Sequence, residues 1–158
     1  MTEFRIRLGL PADLPVVRDI YRRASLSNSG NTAALLAHPE ALVLTGEGIS
    51  AGRSRVATTL TRDHIVGFAT TLAIEQVLEL EDLFVDPDWM RRGVGRHLLR
   101  DVVAVAAREH VQRVEVTANP HALAFYDSVG FVHDGEVETR FGAGIRMHLD
   151  IASGSGAL

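Results

Sequence analysis

The chain has 158 residues, of which 46% are hydrophobic, a length and composition that suit one folded domain with a sizeable core. A net charge of -4 and a pI near 5.9 argue against a protein that binds nucleic acid. The sequence contains no cysteine, which excludes disulfides, thiolate metal sites and a cysteine nucleophile, and no lysine, which excludes a GxxxxGKS/T phosphate loop. No segment resembles an apolar signal sequence or reaches membrane-spanning length, so we expect a cytoplasmic protein with no membrane partner.

The first third of the chain contains the pattern of one strand and two helices. Residues 4–8 alternate apolar side chains with arginines, which is typical of a half-exposed strand. Apolar residues at helical spacing begin after Pro11 and end in the polar tract 25–31, and a second short helix is predicted at residues 32–37. Residues 38–52, which contain three glycines, are predicted to form a loop.

Three strands are predicted next. Residues 55–61 and 64–74 are rich in β-branched side chains and flank a turn at Arg62-Asp63. They lead directly into a third strand at residues 77–85, so the sequence predicts an antiparallel meander.

The third of these strands changes phase. Leu78 and Leu80 alternate as expected for a half-buried strand, but the next apolar residues, Leu83 and Val85, are out of step with them. One extra residue near Glu81-Asp82 predicts a β-bulge, which bends a strand and leaves backbone groups unpaired.

After a turn, the chain has an arginine-rich loop with two glycines, followed by a helical pattern over residues 93–109. The start of a helix offers unpaired N–H groups and the positive end of the helix dipole, and glycine lets an anion approach the backbone closely. Arg92, Arg96 and Arg100 lie on one side of this start, where each cation costs about 0.3–1 kcal/mol unless an anion is bound. The loop is therefore predicted to bind phosphate, although a lone GxG can also be a tight turn before a solvated arginine face.

A strand and a helix are predicted after the 93–109 helix. Residues 113–117 alternate as in a short strand, which we place parallel to the strand at 77–85. Asn119 and Pro120 suit the N-cap and the first position of the next helix, and Gly130 suits its left-handed C-terminal cap.

The rest of the chain is predicted to close the sheet. Residues 132–139 and 145–150 form the pattern of a hairpin around residues 141–144. We expect a single domain over residues 1–150 and a frayed tail over residues 151–158.

Two segments carry the most specific patterns: residues 90–95, MRRGVG, and residues 119–131, NPHALAFYDSVGF. The first resembles the coenzyme-binding pattern Gln/Arg-x-x-Gly-x-Gly/Ala of the GCN5-related N-acetyltransferase (GNAT) superfamily, with Met90 in place of Gln or Arg. The second resembles that superfamily's pattern N-x-x-A-x-x-F-Y-x-x-x-G-F. This resemblance implies an α/β acyl-CoA N-acyltransferase fold, with a mixed, mostly antiparallel sheet flanked by helices.

The resemblance also implies a function. It implies an enzyme that transfers an acetyl group from acetyl-CoA to a primary amine of a small molecule or a peptide, with residues 25–52 selecting the acceptor. Without a cysteine to carry the acetyl group, direct attack in a ternary complex is the simplest mechanism. Homodimers are common in the superfamily, but the sequence contains no signal for one. The histidines show no metal-ligand spacing with carboxylates, and no metal is expected.

Acetyl transfer requires a bound coenzyme, a neutral amine and a proton for the departing thiolate. Tyr126 is the predicted general acid, because a phenol with a pKa of about 10 is protonated at neutral pH and a thiol has a pKa of about 8.5. A carboxylate is predicted to remove the amine's proton, with Glu81 first and Glu79 second. The predicted coenzyme-binding residues are Leu83, Phe84, Val85, Arg91, Arg92, Gly93, Val94, Gly95, Arg96, Asn119 and Tyr126.

Two other functions remain compatible with the same residues. A protein of this fold can bind acyl-CoA without catalysis, as a sensing or interaction module, because fold alone does not fix function. The arginine loop also suits a regulatory domain that binds phosphate or nucleotides. The identity of the acceptor amine and of the acyl chain stays open.

Overall fold

The computed structural model describes residues 3–27 and 32–151. This part of the chain contains five α-helices: α1 (Leu14–Ser27), α2 (Thr32–Ala37), α3 (Glu47–Ser50), α4 (Val94–Arg108) and α5 (Leu123–Ser128). It also contains four single turns of 3₁₀ helix, each beginning with proline, at Pro11–Asp13, Pro39–Leu42, Pro87–Trp89 and Pro120–Ala122. Proline suits a helix start because the N–H that it lacks has no partner there. None of the described helices is long and apolar enough to span a membrane.

The helix predictions are confirmed for α1, α2 and α4, but the loop predicted over residues 38–52 is wrong in part. This segment contains the 3₁₀ turn at Pro39–Leu42 and the short helix α3. Ile49 of α3 is buried in a hydrophobic core, and this burial stabilises a helix that its one glycine, Gly48, disfavours. Part of the polar tract predicted to follow α1, residues 28–31, lies outside the described residues.

Seven strands form one mixed sheet. They are β1 (Phe4–Leu8), β2 (Ser54–Thr59), β3 (Ile65–Ile74), β4 (Val77–Val85), β5 (Arg113–Ala118), β6 (Val132–Thr139) and β7 (Gly142–Asp150), in the order β1-β2-β3-β4-β5-β7-β6. The predicted parallel pair is confirmed, since β4 runs parallel to β5, while β1–β2, β2–β3, β5–β7 and β6–β7 are antiparallel. The predicted fold class, a mostly antiparallel sheet with helices, is therefore confirmed.

The hairpin at the end of the chain differs from its prediction. Its turn is at Arg140–Phe141, and β7 begins at Gly142 rather than at Ile145. Gly144 lies within β7 opposite Val137, and a Cβ there would be 2.6 Å from Thr117 Cγ2. Glycine at this position permits close packing of neighbouring strands, which the sequence pattern does not distinguish from a loop glycine.

The helix predicted from Asn119 to Gly130 is a 3₁₀ turn followed by α5. Asn119 is at the N-cap position but makes no side-chain capping bond. The predicted glycine cap is confirmed: Gly130 has φ +100°, its N–H bonds Asp127 O, and the N–H of Phe131 bonds Tyr126 O. These two bonds form a Schellman motif, which requires a left-handed residue.

The chain divides into two compact units. Unit 1 is Met1–Thr70 with Asp82–Leu99, and unit 2 is Thr71–Glu81 with Arg100–Leu158. The core of unit 1 contains Val17, Ile20, Ile49, Val56 and Phe68, with Phe84 packed against it. In unit 2, buried residues of β4, β5 and β7 lie in register: Leu78, Leu80, Val114, Val116 and Met147. The expectation of a single domain over residues 1–150 stays a prediction.

Gly67 of β3 allows the first turn of α4 to pack closely on the sheet of unit 1. A Cβ at this position would lie 2.9 Å from Val94 Cγ1, 3.0 Å from Phe84 O and 3.1 Å from Leu98 Cδ1. One of these neighbours is backbone and cannot rotate away. The absence of a side chain at Gly67 therefore fixes where α4 begins.

We expect Gly67→Ala to destabilise the protein by about 1–3 kcal/mol, because the new methyl group overpacks this contact. Urea unfolding followed by circular dichroism measures the change. Gly46→Ala is the control. A Cβ at Gly46 meets only the flexible end of Leu14, 3.1 Å away, so this substitution should lower the free energy of unfolding much less. A Gly67→Ala protein as stable as the wild type would show that α4 does not depend on this contact.

Candidate functional site

The second half of β4 is the last strand of unit 1. On one side it adjoins β3, where Asp86 N–H bonds Val66 O at 2.8 Å. On its other side, β4 pairs with β5 from Val77↔Arg113 to Leu80↔Val116. The strand β4 continues beyond these pairs to Val85. Within unit 1, no other strand pairs with the opposite edge of residues 83–85, and a ligand can pair with this edge as an added strand would.

The side chains of this segment anchor the open edge to the core of unit 1. Phe84 is half-buried, stacks on Phe68 at 5.7 Å between ring centroids, and meets Tyr21 edge-on at 4.9 Å. Leu83 and Val85 are also half-buried. The β-bulge predicted at Glu81-Asp82 lies beyond the recorded register pairs of β4 and stays a prediction.

An exposed loop joins β4 to α4. Two of its residues have left-handed backbone conformations, Arg91 with φ +63° and Gly93 with φ +86°. Such a conformation is uncommon for a residue with a side chain, so Arg91 requires support from its surroundings. The Gly93 carbonyl accepts the His97 N–H at 3.0 Å, which places Gly93 at the N-cap of α4. The first N–H groups of a helix lack partners within that helix, and here they belong to Val94, Gly95 and Arg96.

Arginine side chains surround this helix start. Arg91, Arg92 and Arg96 are all exposed. The Arg92 guanidinium lies over the Trp89 ring, 4.7 Å from its centroid, a cation–π contact that restricts the orientation of its planar donor group. Fixed N–H groups, glycine and arginine together favour a bound phosphate or diphosphate.

Unit 2 contains a charged cluster on one face of three neighbouring strands. Arg146 of β7 bonds both oxygens of Glu79 in β4, at 2.8 and 3.1 Å, and also bonds Glu115 at 2.6 Å and Thr117 at 3.0 Å. The hydrogen bond with Glu79 is the main cause that raises the pKa of Arg146. Each of the three charged side chains is about a quarter exposed. The cluster fixes Glu79 in place and leaves part of its carboxylate accessible.

Glu115 was not predicted as a site residue, although the sequence contained a signal for it. Glu115 pairs with Glu79 in the parallel register and lies between the buried residues Val114 and Val116. Side chains alternate between the two faces of a sheet, so Glu79 and Glu115 share the face opposite these valines. Finding the pair from sequence required the register of β4 and β5. Glu81, the other predicted base, is exposed.

Tyr126 of α5 is buried, with 6% of its surface exposed, and packs edge-on against Phe125 and Phe131, each 5.2 Å away. Burial raises the pKa of Tyr126, so its phenol is protonated at neutral pH. Among residues 3–27 and 32–151, no buried polar side-chain atom lacks a hydrogen-bond partner.

Asn119 is the remaining predicted coenzyme contact. Its side chain is exposed and makes no capping bond with the turn that it starts. Two groups of predicted site residues, 83–85 and 91–96, therefore lie in unit 1. The others, Tyr126, Asn119, Glu79 and Glu81, lie in unit 2. In the described part of the chain, no three His, Asp or Glu side chains are arranged to hold a metal ion.

Comparisons with known proteins identify the family. The sequence matches the family model described as "Acetyltransferase (GNAT) domain" over residues 39–149. The ribosomal protein bS18 alanine N-acetyltransferase of Salmonella typhimurium is 38% identical over 72 residues, which are 44% of this chain and 49% of that protein. The N-alpha-acetyltransferase RimI of Mycobacterium tuberculosis is 47% identical over 58 residues, 36% of each chain. The chain thus spans half or less of the length of these curated relatives.

Solved structures share the fold over nearly the whole chain. The ribosomal-protein-S18-alanine N-acetyltransferase of Escherichia coli has a TM-score of 0.71 at 22% identity and covers 98% of both chains. The PaiA N-acetyltransferase of Thermoplasma acidophilum, solved with coenzyme A, has a TM-score of 0.74 at 16% identity and covers 94% of this chain and 99% of the other. Because the family model matches well over half of the sequence, and both expected motifs lie within it, the chain belongs to the GNAT acetyltransferase family.

Proposed function

We propose that this protein is an acetyl-CoA-dependent N-acetyltransferase that acts on a primary amine by direct attack in a ternary complex. The observation that carries the proposal is the end of β4 at residues 83–85, which continues beyond its register with β5 and leads into an arginine-glycine loop at the start of a helix. Coenzyme A has an amide-rich arm and a diphosphate, which suit these two features. Membership of the GNAT family and the coenzyme A in a structural neighbour support this choice of ligand.

The coenzyme is held mainly by backbone groups. The amides of the pantetheine arm pair with the open edge at Leu83, Phe84 and Val85, as an added strand would. The diphosphate accepts hydrogen bonds from the backbone N–H groups of Val94, Gly95 and Arg96 next to Gly93, while the side chains of Arg91, Arg92 and Arg96 neutralise its charge and Asn119 adds a side-chain contact. Met90 does not supply the polar side chain of the family pattern, but the contacts of the backbone do not depend on it.

Tyr126 supplies the proton in the reaction. The amine nitrogen attacks the thioester carbonyl, the C–S bond breaks, and the thiolate takes the phenolic proton. A backbone N–H of β4 stabilises the oxyanion of the tetrahedral intermediate. Because its pKa is raised, Tyr126 carries its proton at neutral pH, as a proton donor must, and the same burial makes it a weaker acid than a free tyrosine.

A carboxylate removes the proton from the acceptor amine. We assign the base to Glu81, whose side chain is exposed, acting directly or through water, and keep Glu79, whose two oxygens accept hydrogen bonds from Arg146, as the second candidate. Two of the relatives are named for acetylating an alanine of a ribosomal protein or an N-alpha group. We therefore infer that the acceptor is the α-amine of a polypeptide, and we place the reaction in the cytoplasm.

The proposal is tested by release of coenzyme A from acetyl-CoA. Because the chain has no cysteine, a thiol reagent detects the coenzyme without background from the protein. We expect release with peptides that begin with a free alanine and none with the same peptides acetylated at the N-terminus. Tight binding of acetyl-CoA without turnover on a broad amine panel would favour a sensing module instead. Phosphate or nucleotides that compete as well as coenzyme A would favour an anion-binding regulatory domain.

Tyr126→Phe is expected to lower kcat by about 10²–10⁴-fold with little change in the affinity for acetyl-CoA, because only the proton donor is lost. Steady-state kinetics separates the two effects. Since the pKa of Tyr126 is raised above its usual value near 10, the wild-type rate should not fall through loss of this proton up to about pH 10. The control is Tyr21→Phe, which removes a hydroxyl that donates to Ala41 O within unit 1. Unchanged turnover in Tyr126→Phe would remove Tyr126 from the mechanism.

A further inference from the structure

We propose that Arg23 of α1 is a positioning residue for coenzyme recognition, because its ion pair with Asp86 holds the loop of residues 87–93 in its binding conformation. The identity of the ligand rests on the proposed function, but the effect on the loop does not. Arg23 bonds Asp86 and Asp19, so its effect on the loop is exerted through Asp86.

The ion pair has a well-defined geometry. Arg23 Nη1 donates to Asp86 Oδ1 at 2.9 Å, Nη2 donates to Oδ2 at 2.9 Å, and Nε donates to Asp19 Oδ2 at 2.8 Å. The Asp86 side chain is 13% exposed and that of Arg23 is 38% exposed. The guanidinium group lowers the pKa of Asp86, so the pair is charged at neutral pH. Two parallel bonds fix the plane of the carboxylate as well as its position.

Asp86 connects this pair to the start of the loop. Its N–H bonds Val66 O in β3 at 2.8 Å, and its carbonyl accepts the Trp89 N–H at 2.8 Å. Its Oδ1, which also binds Arg23, accepts the Asp88 N–H at 2.9 Å. The orientation of one carboxylate therefore determines the first turn of the loop, and Arg23 determines the orientation of that carboxylate.

The other end of the loop is anchored separately. His97 Nδ1 lies 2.9 Å from Gly93 O, and the His97 ring meets Phe4 edge-on at 5.5 Å. Phe4 also meets Trp89 edge-on at 6.1 Å, and Trp89 carries Arg92 on its face. The buried Phe4 thus contacts both ends of the segment that presents the arginine.

The middle of the loop depends on these anchors. Arg91 has an uncommon left-handed conformation, and Met90, Arg91 and Arg92 are exposed. If one anchor is lost, other loop conformations become populated. The apparent Kd of the ligand then rises in inverse proportion to the fraction of molecules in the competent state.

A second ion pair in unit 1 provides a matched comparison. Arg7 bonds both oxygens of Asp13 at 2.8 and 3.1 Å, with side chains 36% and 13% exposed. Asp13 also accepts a backbone N–H, from Leu10 at 2.7 Å, but the turn that it closes is Pro11–Asp13. The two pairs are alike in geometry and exposure and differ in the turn that they support.

The experiment compares Arg23→Gln, Arg7→Gln and Arg23→Lys in the full chain. Calorimetric titration gives the Kd of coenzyme A, and thermal unfolding gives the Tm. We expect similar losses of Tm in the two glutamine variants, but a Kd raised about tenfold only in Arg23→Gln, since it alone loses a charged pair that orders the loop. Arg23→Lys keeps the charge without the fork and should give an intermediate Kd. At saturating acetyl-CoA, kcat should stay within about twofold of the wild type, because ligand binding restores the loop.

Backbone amide exchange without coenzyme provides an independent readout. Loss of the pair should speed exchange of the Asp88 and Trp89 amides in Arg23→Gln and leave it unchanged in Arg7→Gln. Unchanged exchange in Arg23→Gln, or equal increases of Kd in both glutamine variants, would overturn the positioning role. A wild-type protein that does not bind coenzyme A would refute the proposed function, and the exchange result would still decide the role of Arg23.

Discussion

The proposed binding of the coenzyme depends on the backbone groups of residues 83–85 at the end of β4. An N–H or C=O group in a strand must find a partner, and within unit 1 only the side of these residues that faces β3 is paired by a strand. The other side therefore needs water or a ligand with amides of its own. Phe84 holds this segment on the core through its stacked and edge-on contacts with Phe68 and Tyr21. A segment that is packed in this way before binding loses little conformational entropy when a ligand pairs with it.

The loop of residues 87–93 is also held in one conformation by contacts within unit 1. An exposed arginine in a left-handed conformation is unfavourable by itself, and the contacts of Asp86, Phe4 and His97 compensate for it. The loop is thus ordered by neutral and charged contacts with other residues of unit 1. Placing three arginines at a helix start is electrostatically costly without an anion, and a bound diphosphate removes that cost.

The sequence predicted those parts of the fold whose patterns are long or chemically specific. The helix α4, the strands β3 and β4, and the glycine cap at Gly130 follow from apolar periodicity or from a required left-handed residue. The sequence pattern does not predict the helix α3, because four residues form little more than one turn and show no repeat of apolar spacing, and its stability comes from the burial of Ile49. The sequence predicts a turn at Gly144, which lies in β7, because the local sequence does not show that this residue packs against Thr117.

The candidate site divides in the same way. The loop and Tyr126 lie in motifs of the family, whereas the contacts around them join residues far apart in the chain. Arg23 and Asp86 are 63 positions apart, and Arg146 and Glu79 are 67 positions apart. No periodicity connects such residues, so these pairs could be found only from the fold.

A crystal structure of the protein with coenzyme A tests the central claim most directly. The account predicts that amides of the pantetheine arm hydrogen-bond the backbone of residues 83–85 and that the diphosphate lies on the first N–H groups of α4. Coenzyme A bound elsewhere, with the edge of residues 83–85 occupied only by water, would contradict it.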